Sequence, residues 1–151
     1  MRLLRKKDGS FEARFSKPDW NCFLTILNLY PRVPQTHHQL SRHPDNDSRL
    51  PGCQALLDEA LAEQRATNKK AILRMFSDPN RLALSERGFS LRLDSSDILC
   101  LLQVLNDIRV GCWVALGSPE DIDIPESDEQ QQVFYSMELA GHYEAVLIDA
   151  L

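Results

Sequence analysis

The spacing of apolar residues predicts four amphipathic helices along the chain. Within each helix, apolar residues recur every three or four positions, which places them on one face. Ser16 or Asp19 is expected to cap the first helix, and Ser95 or Ser96 the third. The third helix is nearly apolar all round, which predicts a buried position. The four helices are expected at residues 18–30, 53–76, 97–116 and 128–151.

The N-terminal stretch RLLRKKDGSFEARF predicts a β-hairpin. Asp8-Gly9 is typical of a two-residue type I′ turn, because both central positions of that turn need a positive φ. This turn would place Arg5 opposite Glu12 on the exposed face of the hairpin. The other face would be buried, and it would carry Leu4, Phe11, Ala13 and Phe15.

A second alternating stretch extends the predicted sheet. Apolar and polar residues alternate over residues 89–93, as in a strand with one buried face. Residues 82–84 fit either a partner strand or a helical turn, and the pattern does not decide between them. The predicted fold class is therefore α+β and mostly helical. Four helices would pack against a small antiparallel sheet built on the N-terminal hairpin.

Length and composition favour one domain over residues 1–151. A chain of 151 residues that is 43% hydrophobic can form one substantial core but not two. Residues 35–51 are predicted to form a mobile loop, and residues 118–127 an acidic linker. His37, His38 and His43 invite a metal hypothesis, but they lack helical ligand spacing, and only Asp45 or Asp47 could add a ligand. We therefore expect neither a metal nor a cofactor.

Charge is unevenly distributed. Residues 1–50 carry a net +4, residues 51–117 are neutral, and residues 118–151 contain nine acids and no base. The bases of the hairpin could contact nucleic acid, but an ordinary solvated strand face is favoured because the whole chain carries −5. The N-terminus resembles no secretory signal, and no membrane span is expected, so the predicted location is the cytoplasm. Reduced core thiols are expected at Cys22, Cys53, Cys100 and Cys112.

Polar side chains interrupt the apolar faces of three helices. Arg109 lies within the stripe of the third helix, with Asn106 at the edge of that stripe. Glu144 interrupts the last helix, and Gln64 and Asn68 interrupt the second. A buried arginine needs a counter-ion, so these five residues are predicted to form one buried polar cluster centred on an Arg109–Glu144 ion pair. The favoured hypothesis is a network that fixes helix register, and the alternative is a pocket for a small anion or a peptide.

The sequences LLQVLNDIRVGCWVALG, FYSMELAGHYEAVLIDAL and LRKKDGSFEARF resemble a bacterial domain-of-unknown-function family, number twenty-seventeen. The resemblance covers most of the chain except the histidine-rich loop, and it includes the order of the elements. It implies no catalytic residue. Some members of the family are encoded near the ClpS adaptor of the Clp protease, which implies a link to proteolysis. The shared L-N-D-x-R motif corresponds here to Leu105, Asn106, Asp107 and Arg109.

The motif pattern favours a binding protein over an enzyme. The sequence contains no P-loop, no G-x-G-x-x-G or G-x-S-x-G motif and no H-E-x-x-H motif. We therefore expect a cytoplasmic, non-enzymatic binding or regulatory protein of adaptor type, with a protein partner. One alternative is an enzyme or small-ligand binder that uses Arg109 and Glu144, and a second is a nucleic-acid binder. The last helix stays apolar to Leu151, which makes a C2 homodimer plausible.

Overall fold

The computed structural model describes residues 1–38, 52–121 and 123–151 of the protein. They form four main helices and a four-stranded antiparallel sheet, which confirms the predicted α+β class. The strands and helices are β1 (Arg2–Arg5), β2 (Phe11–Phe15), α1 (Lys17–Leu27), α2 (Cys53–Ser77), β3 (Leu82–Ser85), β4 (Gly88–Leu93), α3 (Ser95–Ala115) and α4 (Asp128–Ile148). A short 3-10 helix follows α1 at Gln35–His38.

The sheet has the strand order β1-β2-β4-β3. The N-terminal hairpin pairs with the second hairpin through β2 and β4, where Phe11 lies opposite Leu93 and Phe15 opposite Phe89. Residues 82–84, which the sequence pattern left undecided, belong to the edge strand β3. The two sequence-local hairpins therefore form one sheet through a single long-range strand pairing.

The predicted register of the first hairpin is wrong by one residue. The loop contains three residues, because Lys6 pairs with Ser10 and Gly9 adopts a left-handed φ of 82°. A three-residue loop of this kind ends in a left-handed glycine, whereas a type I′ turn uses two residues. Arg5 therefore lies opposite Phe11 rather than Glu12. The shift moves Leu4 to the outer face and Leu3 to the inner one, although Phe11, Ala13 and Phe15 are buried as predicted.

Aromatic side chains join α1 to the inner face of the sheet. Trp20 stacks on Phe89 with ring centroids 4.8 Å apart and meets Phe15 edge-on at 5.2 Å. Phe23 packs edge-on against Tyr143 of α4 at 5.0 Å. Aromatic pairs in these geometries add stabilisation beyond the apolar area they bury. The sheet, α1 and α4 thus share one hydrophobic core.

Helix α3 is the central helix of that core. Its buried face includes Ile98, Leu101, Leu105 and Ile108, each at most 1% exposed. Among the described residues, α3 is also the one helix that is long and apolar enough to span a membrane, judged by length and composition. Core helices of soluble proteins share those properties, and 44% of its most apolar window is buried within the structure.

The helix caps correct part of the sequence prediction. Ser16 caps α1, and its side chain accepts a hydrogen bond from the Asp19 backbone N–H at 3.2 Å. Asp94 caps α3, where Ser95 or Ser96 was expected, and Asp97 completes a capping box with it. The carboxylates of Asp94 and Asp97 accept each other's backbone N–H, so the helix begins two residues earlier than predicted.

Two predictions about side-chain chemistry change with the structure. All four cysteines are free thiols, but only Cys112 is buried, so the expectation of four core cysteines is wrong for Cys22, which is exposed, and for the two half-buried ones. His37 and His38, which were predicted to lie in a mobile loop, belong to the 3-10 helix. His43 and the rest of the predicted mobile loop from residue 39 to residue 51 lie outside the described residues.

Candidate functional site

Arg109 and Glu144 form the predicted ion pair between α3 and α4. The Arg109 Nε lies 3.2 Å from the Glu144 Oε2. The Glu144 side chain is 10% exposed, but that of Arg109 is 50% exposed, so the prediction of a mostly buried arginine is wrong. A long side chain can bury its stem on a helix and still extend its charged end into water. Burial raises the pKa of Glu144, and the guanidinium of Arg109 lowers it in part.

An open groove of about 480 Å³ adjoins this pair on the surface of α3 and α4. Trp113 borders it, and the indole Nε1 donates a hydrogen bond to the Pro119 carbonyl at 3.1 Å. This bond fixes the position of the indole and attaches the start of the acidic linker to α3. The groove is lined by Arg109, Val110, Trp113, Met137, Glu138, Gly141 and His142.

No close packing contact requires a glycine at position 141. A Cβ at this position would meet only the Arg109 Cδ, at an ordinary contact distance of 3.5 Å. Glycine inside a helix costs roughly 0.5–1 kcal/mol relative to alanine. The missing side chain therefore leaves the groove open at some cost to helix stability.

Gln64 and Asn68 belong to a second cluster. Asn68 is buried and donates a hydrogen bond to the Tyr30 hydroxyl at 3.2 Å, and Gln64 donates to Asn68 at 3.0 Å and to Gln103 at 3.2 Å. Burial raises the pKa of Tyr30. The single predicted cluster is therefore wrong, because no bond links this α2 network to Arg109 or Glu144 within the described residues.

The remaining member of the predicted cluster, Asn106, takes part in neither group. Its side chain is exposed on α3 and makes no hydrogen bond within the described part of the chain. Its position at the edge of the apolar stripe fits this exposure. Of the five predicted residues, the structure brings together Arg109 with Glu144, and Gln64 with Asn68.

Asp107 has a role that the sequence did not reveal. Its Oδ1 accepts hydrogen bonds from the backbone N–H groups of Arg32 at 2.5 Å and Val33 at 3.2 Å. Arg65 lies 3.8 Å from the same carboxylate and donates to the Val33 carbonyl at 2.7 Å. One turn further along α3, a Cβ on Gly111 would lie only 2.5 Å from the Arg32 backbone. Asp107 and Gly111 thus form one docking face for residues 32–33.

A third polar group surrounds Asp97, whose side chain is fully buried. Its carboxylate contacts the guanidinium of Arg81 and lies 3.4 Å from the Arg74 Nη2. These contacts join the start of α3 to the end of α2 and to the residue before β3. The capping-box pair Asp94 and Asp97 was the sequence signal that could have identified it. The bonds of Asp97 are all internal, which is typical of a structural group.

Comparison of this chain with family models, with curated proteins and with solved structures finds no match. Membership of the family that the sequence resembles therefore stays a prediction. The candidate site is accordingly chosen on geometry. Arg81, the partner of Asp97, also borders an open hollow, but charged and polar residues make up most of the lining there, whereas the groove beside the Arg109–Glu144 pair adds the apolar surface of Trp113 and Met137.

Proposed function

We propose that the protein is a non-enzymatic, adaptor-like binding protein. Its groove between α3 and α4 would receive a peptide segment of a protein partner, and Arg109 would pair with a carboxylate of that peptide. The observation that carries the proposal is the half-exposed guanidinium of Arg109 at the border of a groove of about 480 Å³. This volume falls within the range of small-ligand sites.

Arg109 retains donors for a ligand. Its contact with Glu144 is made through Nε, and its two terminal nitrogens donate no hydrogen bond to residues 1–38, 52–121 or 123–151. A guanidinium offers five donors in a planar arrangement that matches a carboxylate with two parallel hydrogen bonds. Glu144 would hold the arginine in place while the free edge receives the ligand.

The other groove residues suit a peptide better than a simple anion. Trp113 and Met137 supply apolar surface, and aromatic residues are enriched where binding energy is concentrated. Glu138 would repel a purely anionic ligand and would favour one that also carries N–H donors. A peptide backbone with one carboxylate satisfies all of these groups, whereas inorganic phosphate satisfies only Arg109.

The groove residues give less support to the enzyme hypothesis. Serine, threonine and cysteine are missing from the seven residues that line the groove, so the described site offers no hydroxyl or thiol nucleophile. His142 could act as a general base, but covalent catalysis would also need a hydroxyl or thiol nucleophile beside it. A cytoplasmic role linked to Clp-type proteolysis would fit a peptide-binding adaptor, and it rests on the sequence resemblance.

The test uses matched pairs of synthetic peptides, each ending in a free carboxylate or in a carboxamide, and internal acidic peptides with their amide counterparts. Binding is measured by calorimetry and by tryptophan fluorescence, to which Trp113 at the groove and Trp20 in the core both contribute. We expect a subset of carboxylate peptides to bind and their amide counterparts to bind at least about tenfold more weakly. Arg109→Lys should fold normally and lose the preference, because lysine cannot form the two parallel bonds.

Two further variants separate the groove from general charge effects. Gly141→Leu should block binding by filling the groove, while Lys69→Gln, which removes an exposed charge on α2, should leave binding unchanged. Equal affinity for acid and amide peptides would exclude the carboxylate pairing. Binding that persists in both Arg109→Lys and Gly141→Leu would place the site elsewhere.

A further inference from the structure

The outer face of the sheet is open to solvent and rich in cations. Strand residues alternate, so Arg14 of β2 and Arg92 of β4 point away from the core and are 56% and 63% exposed. Two shallow hollows of about 580 and 450 Å³ lie on this side. We call the exposed cations that line these hollows the basic face, and they are Lys6, Lys7, Arg14, Arg87 and Arg92.

The basic face keeps a positive excess after its internal pairs are counted. Glu12 contacts Lys6 and lies 2.8 Å from Arg14, and these cations lower its pKa to about 2. Asp8 lies 2.8 Å from Arg92. The five cations and two acids give this face a net charge of +3. Because the whole chain has a net charge of −5, the rest of the chain has a net charge of −8. Such a separation of charge favours an anionic partner for the sheet.

The chain itself contains a segment of matching charge. Between residues 118 and 129 there are six exposed acids and no base. Ile124 lies among them and is 62% exposed, which offers an apolar contact beside the charges. We call these acids the acidic segment, and they are Glu120, Asp121, Asp123, Glu126, Asp128 and Glu129.

The acidic segment and the sheet lie at opposite ends of the helix pair α3–α4. α3 begins two residues after β4 ends, and Arg5 of β1 donates to the Leu151 carbonyl just beyond α4 at 3.4 Å. The acidic segment joins the other two ends of these helices. A helix of 21 residues is about 30 Å long, so the segment cannot reach the basic face of its own chain.

We propose that the basic face of one copy binds the acidic segment of a second copy. This contact joins two different surfaces, so each bound copy still offers one free surface of each kind. Repetition of such a contact extends an assembly head to tail unless the rotation between copies closes a ring. The association depends on exposed charges, so it strengthens at low ionic strength and is screened by salt.

A second copy suits the basic face better than single-stranded nucleic acid. Sites for single strands combine cations with aromatic side chains on which bases stack. The aromatic residues of this sheet, Phe11, Phe15 and Phe89, pack on the opposite face against the helices. Asp8 and Glu12 would also repel a continuous phosphate backbone. A peptide segment with separated carboxylates and one apolar residue avoids both problems.

The test is sedimentation velocity of the full chain at about 0.02 M and 0.5 M salt over a range of concentrations. The average mass should rise above the 17.2 kDa monomer at low salt and return to it at high salt. Arg14→Gln/Arg92→Gln and Asp121→Asn/Asp123→Asn should each weaken association about tenfold. The control variant Lys69→Gln/Lys70→Gln removes two exposed charges that lie outside both surfaces, and it should not weaken association.

Mixing the two impaired variants gives the sharpest result. One retains its acidic segment and the other its basic face, so a mixture should form a 1:1 pair of about 34 kDa that cannot extend. A monomer at every concentration at low salt would overturn the proposal. So would a salt-insensitive dimer, which would indicate a symmetric apolar contact. A monomer that binds an oligonucleotide through Arg14 and Arg92 would assign the face to nucleic acid instead.

Discussion

Replacing Asp107 with alanine should undock residues 32–33 from α3. The variant loses two backbone hydrogen bonds to a carboxylate, at 2.5 Å from Arg32 and 3.2 Å from Val33. A hydrogen bond to a charged group contributes about 1.5–3 kcal/mol. Both bonds are only partly buried, so water replaces part of the loss. We expect Asp107→Ala to lower the free energy of unfolding by about 2–4 kcal/mol.

Asp107→Asn is the matched control, because both backbone donors share the same oxygen, Oδ1. An asparagine can present its amide oxygen there and keep both bonds. It loses only the charge that faces Arg65 at 3.8 Å, where both side chains are less than a fifth exposed. We expect this change to cost about 1 kcal/mol, so the asparagine variant should lie between the wild type and the alanine variant.

Urea denaturation separates these outcomes. With a slope near 2 kcal/mol per molar urea, the alanine variant should unfold about 1–2 M earlier and the asparagine variant about 0.5 M earlier. Limited trypsin digestion adds a local measure, since undocking should expose the Arg32–Val33 bond to cleavage. Equal losses in the two variants, or an alanine loss below about 1 kcal/mol, would refute the docking role of Asp107.

Three further predictions concern single side chains. Burial raises the pKa of Glu144 in the folded state, so the wild type loses free energy of unfolding as pH rises and this carboxyl ionises. Glu144→Gln should therefore match the wild type near pH 4 and become more stable than the wild type toward pH 7. Urea titrations with the opposite trend would contradict this. Gly141→Ala should raise the free energy of unfolding by about 0.5–1 kcal/mol, and a loss in thermal melts would mean that the glycine is needed for packing. Asp97→Ala should lower the free energy of unfolding by about 3 kcal/mol in the same denaturation assay. The control Ser96→Ala, at an exposed neighbouring residue, should lower it by less than about 1 kcal/mol.

The sequence predicts the elements of this fold well because their signals are local. The apolar repeat identifies each helix, and the alternation from Phe11 to Phe15 identifies the strand and its buried face. The first hairpin shows the limit of local information. Asp8-Gly9 suits both a two-residue and a three-residue loop, and both registers leave Phe11 and Phe15 on the buried face, so the pattern of β2 does not decide whether Leu3 or Leu4 of β1 shares that face.

The candidate site was predicted in part for a related reason. The positions of Arg109 and Glu144 within apolar stripes correctly indicated a contact between α3 and α4. The stripes did not indicate which neighbour covers each part of a helix that is apolar all round. Asn68 lies against Tyr30 rather than Arg109, because the segment after α1 crosses α3 on the side of Asp107. That crossing depends on a contact between residues 75 positions apart, which no local pattern contains.

Together, Asp107 and Arg109 show how one helix can serve the fold and the groove at once. They are two positions apart on α3, which places them on different faces. Asp107 is committed to the backbone of residues 32–33, while Arg109 keeps its terminal nitrogens at the border of the groove. Variants of Asp107 should therefore change stability with little change in ligand preference at the groove. Variants of Arg109 should change that preference at a small cost in stability, since its side chain is half exposed.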